Sequence, residues 1–490
     1  MMRPSLQINI SNIVFCKKIC QLNLHFLPMI ANYTAFTAFY SETCISLAGK
    51  RYVFFLISGD LMSTQQHFIS HRFYGLKPSS TLAINEQSKK LQSEGVEVTR
   101  LGLGQSPFPV PESVVEQLRQ HAHEKDYLPV AGLEALREAI AAHLQKTRAV
   151  EFEAENIMVG PGTKELLYLL QVIYSGILLL PAPSWVSYAP QAQLAGTPTH
   201  WIPTTLSDGW RISAENLQQA CLDNPGQRLI MILNYPNNPA GTSYSDEQLE
   251  KIARIARQYQ VIIIADEIYW ELSFSEQPGC LARHYPEGTI ISTGLSKWCG
   301  AGGWRLGAFA FPKALFWLRD ALAVIASETF SAVSAPIQYA AITAFNGNAE
   351  IDCYVSNSRK IMQAILQYTA EVLKAGAIDC AQAEGGFYVM ADFSRYRMEL
   401  QKNNICNGRQ LCARLLNDTG IAALPGCDFG LDAEALVVRL AMVDFDGKEA
   451  LIACENDYKD DAIDSAFMKS HMSKTWLAPK TMVEWIKSMK

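Results

Sequence analysis

Between Asn156 and Phe311 the chain alternates short, wholly apolar runs with amphipathic stretches. Ile157-Met158-Val159 comes first, followed by Gly-Pro-Gly and a helical stretch from Thr163 to Gln171. Leu229 to Leu233 is the second run, ahead of a loop and a helix whose Leu249, Ile252 and Ile255 recur at helical spacing. Val261 to Ile264, Thr289 to Ile291 and Leu306 to Phe311 complete the series. Runs this short, bounded by Gly, Pro and Asn, predict parallel strands covered on both faces. Alternating with helices, they predict an α/β domain whose ligands sit beyond the carboxyl ends of the strands. The residues just after each run are therefore the candidates for chemistry.

Two stretches lack formal charge. Leu166 to Ser207 contains Ile177-Leu178-Leu179-Leu180 and then Pro181 and Pro183, which predicts a buried helix followed by a buried strand, not a membrane span. Ile19 to Ser41 lies in a different setting: residues 1–61 show no sustained helical or strand periodicity. Gln21, Asn23, His25 and Pro28 interrupt the uncharged stretch, and a spanning helix wants about 20 mostly apolar residues. Residues 1–61 read as an over-extended start with Met62 as the true first residue, as a targeting segment, or as an extra module. The expected location is the cytoplasm, or an organelle if the segment is a genuine targeting sequence.

Composition narrows the function. With 490 residues the chain can bury a core without disulfide or metal staples. Lys+Arg 42 against Asp+Glu 48 gives a net charge of −6, so a bulk basic footprint for nucleic acid is absent. The 12 cysteines contain no C-x-x-C, which predicts reduced thiols and no metal site.

After the first run, Gly160-Pro161-Gly162-Thr163-Lys164 opens a helix, and such an N-terminus can cradle a phosphate or simply start a helix. No G-x-G-x-x-G and no G-x-x-x-x-G-K-[ST] is present, so the dinucleotide and P-loop readings lose their main support. The second run leads into Asn234-Tyr235-Pro236-Asn237-Asn238-Pro239-Ala240-Gly241, a turn stiff enough to aim an amide at a ligand. Asp266 follows the third; a carboxylate there either caps a helix or meets a cationic partner. Ser296-Lys297 follows the fourth in a glycine-rich loop without acidic neighbours, where a desolvated lysine becomes a nucleophilic amine.

Gly162-Thr163-Lys164, Trp185 in Pro-Ser-Trp-Val-Ser-Tyr, Asn238 in Asn-Asn-Pro-Ala-Gly, Asp266-x-x-Tyr269, and Ser296-Lys297 with Arg305 eight residues on occur in that order. The set resembles the class I/II aminotransferases, the fold-type-I enzymes that use pyridoxal 5′-phosphate (PLP), over about residues 75 to 485. The resemblance implies a mostly parallel central sheet flanked by helices, with a smaller α+β domain built from both chain ends. On that plan residues 1–61 are a non-core extension and 62–110 an arm with part of the small domain. Residues 111–335 are the large cofactor-binding domain, and 336–490 complete the small one.

The same resemblance assigns roles. Lys297 would form a Schiff base with the cofactor and then move the proton of the substrate α-carbon. Asp266 would pair with the pyridine nitrogen; Asn238 and Tyr269 would bond the ring oxygen; Trp185 would stack on the ring. Gly162, Thr163, Lys164, Ser296 and Arg305 would hold the phosphate, joined by Tyr127 from a partner subunit in a homodimer with shared sites. Arg439, in Leu-Val-Val-Arg-Leu-Ala, would take the substrate α-carboxylate with Gly104, Trp185 and Asn238 beside it. Gly294 stands where one large subgroup has a phosphate-binding serine, and Gln105-Ser106 follows Gly104 where an acidic-Pro-Asp pattern is usual. The expected activity is ping-pong transamination between an L-amino acid and a 2-oxo acid, with no nucleic acid or membrane partner. A β-eliminating C–S lyase on the same scaffold is the alternative. A PLP-binding transcriptional regulator has little support, since residues 1–61 show no helix-turn-helix pattern.

Overall fold

The computed structural model describes residues 40–47, 50–57, 70–458 and 461–489. They fall into two compact units, Met1–His71 and Arg72–Lys490. In the first, β1 (Tyr40–Leu47) and β2 (Lys50–Ile57) pair antiparallel, with Leu47 opposite Lys50. This corrects the reading of residues 1–61 as free of strand pattern. The second strand is a continuous run, Tyr52-Val53-Phe54-Phe55-Leu56-Ile57, of aromatic and branched residues that favour strands without alternating. The other readings of residues 1–61 lie outside the described residues.

The second unit is built on a seven-stranded sheet. Its strands are β4 (Ile157–Gly160), β5 (Ile177–Ala182), β6 (Thr199–Pro203), β7 (Leu229–Asn234), β8 (Ile262–Asp266), β9 (Thr289–Gly294) and β10 (Gly307–Ala310). They lie in the order β4-β10-β9-β8-β7-β5-β6. β6, β5, β7, β8 and β9 are parallel, as the apolar runs predicted; β10 runs antiparallel to both β9 and β4. A strand buried on both faces reads as the same apolar run in either direction, so the sequence could not show the reversal. β6 and the helix Tyr188–Ala195 before it were also missed, because the charge-free stretch was read as one helix and one strand.

The period of two divides the strand residues between two cores. Met231, Leu233, Ile263, Ala265 and Ile291 face one side, while Ile230, Ile232, Ile262, Ile264 and Ile290 face the other. The helix Thr163–Ile173 closes the second side with Leu166, Leu167, Leu169 and Leu170. The helix Asp246–Gln258 closes the first with Leu249 and Ile252, its start fixed by a capping box between Ser245 and Gln248.

Two smaller sheets complete this unit. β11 (Tyr388–Asp392) pairs with β14 (Val437–Ala441), and β14 with β13 (Leu424–Pro425). β3 (Thr99–Arg100) lies parallel to β12 (Ile421–Ala422), joining distant parts of the chain. Among the described residues no helix is long and apolar enough to cross a membrane.

Ile263 is fully buried in β8, between β7 and β9. Ile263→Ala is expected to cost about 2–5 kcal/mol through lost burial and the cavity it leaves. The urea-unfolding midpoint measures it, and an unchanged midpoint would contradict this packing.

Candidate active site

The strand ends converge on one cavity of about 360 Å³. Asn234 ends β7 and Asp266 ends β8; on β9, Ser292 stands directly across from Asp266. The register thus aligns three polar side chains in one row across the sheet. Asp266 is 3% exposed, and its carboxylate accepts Tyr188 Oη–H at 2.5 Å and Ser292 Oγ–H at 3.1 Å. Burial raises its pKa above the ordinary value, and the two hydroxyls offset part of that rise. Among the described residues it has no ion-pair partner. It caps no helix; a turn follows it.

The opposite charge is gathered on the same walls. Thr163, Lys164, Ser296, Lys297 and Arg305 all line the cavity. Lys164 is packed on Trp185, with Nζ 5.3 Å from the ring centroid. Burial, then the neighbouring Arg305 and Lys297, hold its pKa below that of a free lysine. Arg305 adopts a left-handed backbone, φ +57°, and donates to the Gly302 carbonyl at 2.8 Å and the Pro161 carbonyl at 3.4 Å. Gly162, at φ +85°, caps the helix that begins at Thr163, and a Cβ there would collide with the Arg305 guanidinium. Lys297 Nζ donates to the Gly104 carbonyl at 2.8 Å and lies 5.4 Å from the Tyr269 ring. None of the three cations contacts a carboxylate among the described residues.

Arg439 comes from β14 and is 1% exposed. It donates to the Gly102 carbonyl and, at 3.4 Å, to Asn238 Oδ1. Tyr388 and Phe429 flank its guanidinium, at 4.8 and 5.2 Å. Its Nε finds no partner, and burial pulls its pKa below the usual arginine range. A buried guanidinium with a spare donor and no carboxylate calls for an anionic ligand.

Of the residues predicted from the sequence, Thr163, Lys164, Trp185, Asn238, Asp266, Tyr269, Ser296, Lys297 and Arg305 line the cavity. Gly162, Gly104 and Arg439 back it through the contacts just described. Tyr127 is not brought there; it is 94% exposed. The Tyr269 hydroxyl is engaged with Tyr388 Oη at 2.7 Å. Sequence reasoning gave no role to Tyr188, Tyr388 or Ser292. Tyr388 follows Gly385-Gly386-Phe387, and a Cβ at Gly104 would collide with its hydroxyl, which is why that backbone approaches so closely.

An anion cradle, an amine and a buried acid at the strand ends define a cofactor-dependent α/β enzyme. Residues 96–455 match the model of the family "Aminotransferase class I and II", and the chain belongs to it. It is 31% identical over 376 residues to the aspartate aminotransferase of Bacillus sp. (strain YM-2), covering 74% of this chain and 93% of that one. The probable aspartate/prephenate aminotransferase of Aquifex aeolicus is 30% identical over 375 residues, 74% and 91% of the two chains. Thermus thermophilus aspartate aminotransferase with maleate superposes with a TM-score of 0.71 at 28% identity, covering 78% and 97%. The protein is a PLP-dependent aminotransferase of fold type I. Its residues fit the cofactor: a ring cation would relieve Asp266, and a phosphate would relieve the clustered cations.

Because Lys164 loses its proton below the ordinary lysine pKa, anion binding to the apoenzyme is expected to weaken early on the alkaline side. Sulfate affinity should fall at a pH below that at which an ordinary lysine titrates, and Lys164→Met should flatten that fall. A flat profile in the parent protein would contradict the assignment.

Proposed function

We propose that this cavity transfers the amino group of a dicarboxylic amino acid such as aspartate to a 2-oxo acid in a ping-pong cycle. The observation that carries the reading is the separation of unpaired charge on one set of walls: Asp266 without a cation, and Lys164, Lys297 and Arg305 without a carboxylate among the described residues. Asp266 would hold the pyridine nitrogen, and Gly162, Thr163, Lys164, Ser296 and Arg305 the phosphate. When bound, PLP supplies the electron sink for the substrate α-carbanion. Lys297 would hold the cofactor and carry the proton from the substrate α-carbon, the Gly104 carbonyl orienting its Nζ beforehand. Trp185 would cover the ring, and Asn238, its Oδ1 on Arg439, keeps its amide N–H groups for the ring oxygen.

Arg439 would bind the α-carboxylate through its planar fork. The relatives named for aspartate, and a neighbour solved with the dicarboxylate maleate, support an acidic donor. Tyr127, exposed on this subunit, would reach the phosphate of a second subunit in a homodimer. Residues 62–110 and 336–490 would form the smaller domain around residues 111–335, an arrangement that the pairing of β3 with β12 supports.

Absorbance of the holoenzyme tests the donor. L-aspartate is expected to bleach the yellow band faster than L-phenylalanine or L-alanine; equal rates, or release of pyruvate, ammonia and a thiol from a β-thio amino acid such as L-cystathionine without an acceptor, would count against it. Arg439→Lys, which keeps the charge and loses the fork, is expected to cost about 1.5–3 kcal/mol, seen as a donor KM raised roughly 10- to 100-fold. An unchanged KM would remove Arg439 from the site.

A further inference from the structure

Behind the cavity lies a buried charge cluster that none of these roles uses. Arg148 ends the helix Glu134–Arg148 and has no exposed surface. Its Nε donates to Glu267 at 2.9 Å and its Nη1 to Glu271 at 2.9 Å, while the guanidinium lies 4.6 Å over the Trp270 ring. Glu267 and Glu271 bracket Tyr269 in the segment that begins at Asp266. Glu267 directly follows Asp266, and neighbouring residues leaving a strand point to opposite faces. A single planar fork therefore grips this segment from behind while Asp266 and Tyr269 face the cavity.

The grip extends to the lysine loop. His143, earlier on the Arg148 helix, pairs its Nε2 with Glu271 at 2.9 Å. Its ring stacks on Trp298, the residue after Lys297, with centroids 6.1 Å apart and planes 10° from parallel. Tyr235, at the start of the Asn238 loop, donates to the other oxygen of Glu267 at 2.8 Å. Three segments that supply cofactor contacts are thus tied to one helix end.

We propose that Arg148 is a positioning residue for transamination, holding the Asp266–Tyr269 segment through Glu267 and Glu271 and, through His143 and Trp298, the loop of Lys297. A core ion pair serving stability alone would not need to touch the back of all three segments. The proposal rests on the assignment of Asp266, Tyr269 and Lys297 to the cofactor, which the yellow band of the parent holoenzyme checks separately.

Arg148→Lys retains the charge and cannot fork to both carboxylates. His143→Phe retains the stack on Trp298 and loses the bond to Glu271. Both holoenzymes are compared with the parent for kcat, KM, the visible circular dichroism of bound PLP, and the thermal midpoint. The expected result is a kcat lowered about 10- to 100-fold with KM within about threefold, as a displacement near 1 Å produces, together with a weakened dichroic band. A lowered thermal midpoint with kcat within about fivefold of the parent and an intact band would overturn the proposal and leave the cluster purely structural. If Arg148→Lys does not fold, His143→Phe decides by the same criteria.

Discussion

A carboxylate at the end of a central strand, sealed from water and answered by two hydroxyls, is the constraint on which the site depends. Desolvating an ion costs several kcal/mol, and the Tyr188 and Ser292 hydroxyls return only part of it. Asp266 is therefore a standing demand for a cation. The walls carry the complementary demand, because burial and the neighbouring Arg305 and Lys297 make Lys164 costly to charge. A ligand positive at one point and doubly negative at another satisfies both, which explains why a fold would retain two such unfavourable arrangements side by side.

Meeting that constraint takes residues far apart in sequence. β7, β8 and β9 deliver Asn234, Asp266 and Ser292 in one register row, and β14 brings Arg439 beside Asn238. The Gly102–Gly104 backbone touches both ends of the site, accepting from Arg439 at one carbonyl and from Lys297 at the other. Any motion of that strand-flanking loop would be felt at both Lys297 and Arg439, so on the proposed roles substrate binding and proton transfer would share a mechanical element.

Much of this was legible in the sequence because the strands that matter are short and wholly apolar. Once Val261 to Ile264 and Thr289 to Ile291 are read as buried strands, Asp266 and Lys297 stand out as the charges that follow them. Ser292 and Tyr188 were not legible: a serine inside a strand and a tyrosine opening a helix carry no signal until the register sets them against Asp266. Tyr388 hides for a similar reason, its apolar neighbours Phe387 and Val389 making it look like core. The reversal of β10 left no trace, since burial on both faces erases strand direction. β6 escaped because, as an edge strand, Thr199–Pro203 buries only Ile202 and so shows no apolar run. Arg148, Glu267 and Glu271 belong to no sequence motif and become a clamp only when the helix end meets the strand end.

Borohydride reduction of the yellow holoenzyme, followed by proteolysis and mass spectrometry, tests most directly whether Lys297 is the amine that holds the cofactor. A reduced phosphopyridoxyl group on the peptide containing Ser296-Lys297-Trp298, with none on Lys164, is the expected result. An adduct on Lys164 or on any other lysine, with Lys297 unmodified, would contradict the assignment on which the site is built.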